Sequence, residues 1–137
     1  MSAGGSPSPK AVNVSFLIIR VVVGTIFAAH GSQHLFGTFH GPGLSGTVAM
    51  LGNVGYLVAV GEFFGGIGLV FGFLTRFSAA SLIVIMLGAI VKVHFHNGFF
   101  LPGGYEFNVA LIGLLLPVLI AGPGQYAVGG KLPGWLR

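Results

Sequence analysis

"VSFLIIRVVVGTIFAAHGSQHLF", residues 14–36, decides the fold: over its whole length Arg20 is the only Lys, Arg, Asp or Glu. A membrane-spanning helix needs about 20 apolar residues. This stretch is too long for a signal-peptide core and has no persuasive small-residue cleavage site, so it reads as a retained span.

The rest of the chain agrees. Of 137 residues 54% are hydrophobic and 6% charged, against about 25% charged in a soluble domain. One domain fits this length, and four spans with short connections would use nearly all of it. The reading is therefore all-α, a four-transmembrane-helix bundle. A second span falls at 54–74, where Glu62 is the only acid. The turn "TRF" leads to a third span, from Phe77 into "VKVHFHNG", and the fourth runs from Glu106 to Ala121, with Pro117 as a possible kink. "GTFHGPGLSG", between the first two, reads as a glycine-rich loop. Residues 1–12 read as a flexible tail, 13–126 as the membrane domain and 127–137 as a C-terminal tail.

Lys10, Arg76, Lys131 and Arg137 fall on the side of the ends and the 2–3 turn, and the two opposite loops carry no Lys or Arg. The positive-inside rule then puts both termini in the cytoplasm, and a multi-pass protein of the inner (cytoplasmic) membrane is the expectation. The basic residues are scattered singly, which argues against nucleic-acid binding.

Composition also excludes chemistries. With no Cys there are no disulfides, thiol nucleophiles or thiolate-bound clusters. With no Asp there is no Ser–His–Asp set, and the phosphate-cradling and HEXXH motifs are missing.

What remains are polar groups at membrane depth. Arg20 reads as snorkelling or as a structural charge, and Arg76 as a second structural charge. Glu62 must be protonated, paired or wet, and Lys92, reaching a similar depth, is its expected partner. His30 and His34 are four apart, on one face of a helix. His94 and His96 are two apart, beside the Asn97-Gly98 break, and their geometry stays open. Together with Glu106 these groups form an expected outer-leaflet pocket, in which the first span's end meets "VKVHFHNG". It is suited to quinone hydrogen bonding or proton relay. His30, His34, His94 and His96 are also candidate metal or haem ligands. A network that only joins helices is equally open. Gly61-x-x-x-Gly65 and Gly68-x-x-x-Gly72 predict close helix approach, and "GTIFAAH" and "GAIVKVH" share a faint internal echo.

"IIRVVVGTIFAAHGSQHLFG", "GPGLSGT", "GEFFGGIGLVFGFLTRF", "VHFHNGFF", "GGYEFNVALIGLLL" and "GPGQY" occur in the order found in the DoxX family, which the chain resembles over residues 14–126. Arg20, His30, Gly31, Glu62, Gly66, Arg76, Asn97-Gly98, Gly104 and Glu106 fit that pattern. The family commonly carries Lys at the position of His34 and an acidic residue near Val128. The resemblance implies a small bacterial or archaeal four-helix membrane protein; the family is named for a subunit associated with thiosulfate:quinone oxidoreduction. The expected function is a subunit of a quinone-linked oxidoreductase acting with a redox partner. A structural or accessory subunit supporting a larger complex or homo-oligomer is the alternative, and a proton or ion channel a further one.

Overall fold

The computed structural model describes residues 4–137, and every regular element among them is helical. Helix α1 spans Pro9–Phe36, α2 Gly43–Leu51, α3 Val54–Phe71, α4 Thr75–Ala89 and α5 Glu106–Ala121. Of the stretch expected to be flexible, residues 1–3 lie outside the described residues, and Pro9–Val12 already belong to α1. The reason is local: Ser8 accepts a hydrogen bond from Ala11 N at 3.2 Å, with Pro9 in the first helical position.

The 28 residues of α1 extend roughly 42 Å, longer than a hydrocarbon core of about 30 Å. Three helical stretches, Pro9–Phe36, Val54–Phe71 and Thr75–Asn97, are long and apolar enough to cross a membrane; α5, with 16 residues, is apolar but shorter. Helix α5 continues through Pro117 to Ala121.

The apolar core is thin. Val23, Phe27, Leu69, Leu82, Leu111 and Leu115 pack inside, while Leu57 (72% exposed), Val84 (67%) and Ile120 (73%) face outward. Water would penalise so much exposed apolar surface, whereas lipid tails accept it.

Helix association here rests on glycine. Helix α1 packs mainly on α3, α4 on α5, and α3 joins the two pairs. Where α1 crosses α3, a Cβ on Gly24 would sit 2.6 Å from Gly66 O, and one on Gly66 would strike the Ala28 main chain. The predicted glycine spacings do different work from a single seam. Gly61, Gly65 and Gly68 face Ile85, Leu82 and Ser78 of α4, while Gly72 closes the helix in the left-handed region, at φ 71°. The internal echo has no counterpart in packing, because Gly24 is tightly enclosed and Gly88 faces open space.

Two further segments differ from expectation. The stretch read as a loop after α1 forms a 3₁₀ turn, Thr38–His40, and then α2. Gly43, Ser45 and Gly46 are poor helix formers, so tertiary contacts stabilise α2. Thr47 Oγ1 shares its one proton between Gly43 O (2.8 Å) and His34 O (3.1 Å), and Gly55 lies against Thr47 O. The segment read as a tail from 127 is fastened down as well. Val128 N donates to Phe71 O and Gly129 N to Gly72 O, each at 3.0 Å. Gln125 N donates to Asn13 Oδ1 at 2.9 Å, which brings both ends of the chain to one end of the bundle.

Both arginines expected to be structural sit on helix carboxyl ends. Arg20, fully buried, donates to Leu69 O at 3.1 Å and to Tyr126 O. Arg76 donates to Leu119 O at 3.1 Å and Ile120 O at 2.9 Å. Each guanidinium meets the negative end of a helix dipole: Arg20 at Leu69 in the last turn of α3, and Arg76 at Leu119 and Ile120 in the last turn of α5. Arg20 is thus bound within the bundle and does not reach out to headgroups.

Candidate functional site

At the end opposite the chain's ends, α1, α2 and α3 build one polar centre. Gly31 lets the α1 backbone approach α3 so closely that a methyl there would lie 2.5 Å from Phe63 Cα and 2.8 Å from Glu62 C. One turn further along α1, His34 Nδ1 donates to Glu62 Oε2 at 2.6 Å. Thr47 of α2, by holding His34 O, fixes the last turn of α1 above this pair. Phe36 and Phe63 pack edge to face beside it, with centroids 5.2 Å apart.

Glu62 is buried, only 4% exposed, and an uncompensated carboxylate there would be costly. His34 meets that need. The expected Glu62–Lys92 pair does not form: among the described residues the only ion pair is His34–Glu62. The reason lies in α4, whose last turn loosens into a π turn over Ile90–His94. Lys92 is exposed there and lines an open groove with Met50, Leu51 and Val93. The family resemblance carries Lys at the position of His34, and either side chain would bring a cation to Glu62.

His34 is half-buried, and its Nε2 has no protein partner among the described residues. A ring fixed through Nδ1 by a carboxylate presents Nε2 in a defined direction, the arrangement by which a second group sets tautomer and orientation.

The other candidates lie apart from this pair or are used otherwise. His30 is exposed on α1 and does not share the packed face of His34; His40 and His96 are exposed too. His94 Nδ1 donates to Gly103 O at 2.8 Å, where Asn97 Nδ2 donates as well at 3.2 Å. Glu106 Oε1 accepts from Leu101 N at 3.2 Å, while Tyr105 N donates to Gly98 O. Tyr105 also stacks on Phe95 and meets Phe99 edge to face. His94, Asn97 and Glu106 therefore shape the α4–α5 loop. Among the described residues no three His, Asp or Glu side chains converge as metal ligands, so His30, His34, His94 and His96 are not gathered into one multidentate metal centre.

The sequence reading missed Thr47 because it falls between the stretch read as loop, residues 37–46, and the second span from Val54. Its signal was the threonine four residues after Gly43, a spacing that lets a hydroxyl bond back to a helical carbonyl.

Helices of this length and outward apolarity, crossed on glycine and closed at depth by a buried ion pair, define a multi-pass membrane protein. Residues 15–95 match the DoxX family, and the chain belongs to it. It is also similar to a Bacillus subtilis (strain 168) protein named "Putative oxidoreductase CatD", 29% identical over 109 residues that cover 75% of this chain and 75% of the relative. No solved structure matches it significantly.

Proposed function

We propose that this protein is a four-span subunit of a membrane oxidoreductase that holds a quinone headgroup against His34. Its ends face the cytoplasm, in the cytoplasmic membrane, and it works with a redox partner that supplies electrons. The observation that carries this reading is the His34–Glu62 bond of 2.6 Å, which leaves Nε2 free and aimed. The site fits a quinone when His34 is an imidazolium: with Nδ1–H on Glu62, Nε2–H then donates to a carbonyl oxygen, and Phe36 and Phe63 supply apolar surface for a ring. A bound quinone would contribute two-electron, two-proton reduction. The chain's own contribution is to orient the headgroup and pass protons at Nε2, with Glu62 stabilising the imidazolium. The relative's oxidoreductase name agrees with this assignment.

A second reading has its own observation. The same bond ties α1 to α3 beside the Gly31 contact, so it could serve as a helix lock in an accessory subunit.

The test is to purify the protein in nanodiscs, extract bound quinone and repeat with His34→Gln and Glu62→Gln. Quinone retained by wild type and reduced at least tenfold in both folded variants supports the site. No quinone in wild type, with normal assembly of all three proteins, favours the accessory role.

A further inference from the structure

The end of the bundle where the chain's ends meet holds a separate polar feature. A cleft of about 450 Å³ opens there, lined among others by Asn13, Arg76, Gln125, Gly130 and Arg137. Two lining side chains are guanidiniums and none is a carboxylate. The only two acids of the chain, Glu62 and Glu106, are engaged with His34 and Leu101 N, away from this cleft. Lys10, Arg20 and Lys131 belong to this end too, so basic side chains gather here while both acidic side chains lie elsewhere.

Arg76 has donors left over. Its Nη1 serves Leu119 O and Ile120 O, whereas its Nε is buried without a partner. Gly122 packs against this edge: a Cβ there would sit 3.3 Å from Nη2 and 3.5 Å from Nε, so a side chain would crowd Nη2 as well. Arg137 uses Nη1 on Gly130 O at 2.9 Å. The main-chain oxygen of Arg137 also faces Gly122, and among the described residues it makes no ion pair with Arg76.

We infer that this cleft binds a phosphate-bearing anion, either the phosphodiester of an anionic phospholipid headgroup or a free phosphate. Nη2 of Arg76, which makes no hydrogen bond among the described residues, offers a charged donor to a phosphate oxygen. Arg137, from the other side, adds a second cation. The position at the ends of apolar helices is the headgroup level of a membrane, where basic residues attract anionic lipid. This inference is independent of the quinone reading.

The test uses the full-length protein in a neutral detergent, titrated with phosphatidylglycerol, with phosphatidylcholine of the same acyl chains, and with inorganic phosphate. Native mass spectrometry counts bound lipid and thermal unfolding reports stabilisation. Wild type should bind phosphatidylglycerol in preference to phosphatidylcholine. Arg137→Gln, which spares every helix cap, should lose at least fivefold of that affinity with unchanged lipid-free stability. Arg76→Lys, which can keep the carbonyl contacts but has no Nη2 left over for the anion, should lose as much. Displacement of the lipid by millimolar phosphate would identify a free anion as a competent ligand; failure to displace it would identify the lipid. Equal binding of the two lipids with no effect of phosphate, or wild-type binding by a folded Arg137→Gln protein, would overturn the inference.

Discussion

Gly31→Ala tests whether packing and chemistry are joined at the α1–α3 crossing. The new methyl would lie 2.5 Å from Phe63 Cα and 2.8 Å from Glu62 C, main-chain atoms that no rotamer change can move. Phe63 N lies nearer still. Ordinary contact begins at 3.4 Å, so the helices must part by at least roughly 0.9 Å at this level. Parting on that scale would stretch the His34–Glu62 bond from 2.6 Å to beyond the normal range of about 2.7–3.2 Å. Overpacking costs about 1–3 kcal/mol, and weakening a charge-assisted hydrogen bond adds up to about 1.5–3 kcal/mol. We expect a loss of about 3 kcal/mol in reversible unfolding from mixed micelles. The coupling is read from a double-mutant cycle with His34→Ala, where the two losses should fall short of additive by at least about 1 kcal/mol. Gly88→Ala is the control, since a Cβ there meets nothing within 4 Å; a helix-propensity gain of up to about 1 kcal/mol is expected. A Gly31→Ala protein within about 0.5 kcal/mol of wild type, or strict additivity with His34→Ala, would refute the reasoning.

Arg20→Met keeps the apolar stem but removes the donors to Leu69 O and Tyr126 O, so unfolding stability should fall by about 3 kcal/mol. Hydrogen exchange should rise at Val128 and Gly129, whose amides pair with Phe71 and Gly72 beside it. His94→Ala removes one of two donors to Gly103 O; faster hydrogen exchange confined to residues 98–106 is expected, with quinone content unchanged. A loss of quinone in that variant would return His94 to the binding site.

The three long apolar helices and the buried charges were legible because they follow from composition and period: a long apolar run with one charge has few other fates, and Arg20 and Glu62 stand out as lone charges in such runs. Which groups pair was not. Glu62 and Lys92 approach a similar depth from opposite directions, and only the π turn at 90–94, which no periodicity encodes, turns Lys92 outward. Likewise, i and i+4 spacing put His30 and His34 on one face, but the position of α3 and the Gly31 contact decide that His34 alone meets the carboxylate. Helix α2 was illegible because tertiary bonds through Thr47 override its glycine-rich composition. The glycine spacings were visible, yet the sequence could not say that one glycine set faces α4 and another α1.

The central claim is that His34 and Glu62 act on a ligand and do more than join two helices. Replacing both at once, as His34→Leu/Glu62→Leu, separates these roles, because exchanging a buried ion pair for apolar side chains is often neutral or stabilising by about 1–4 kcal/mol, whereas removing one partner strands a charge. Quinone bound per protein in nanodiscs is the measurement. The account predicts a double variant that assembles and unfolds like wild type but retains less than a tenth of its quinone. A folded double variant carrying wild-type quinone would contradict it.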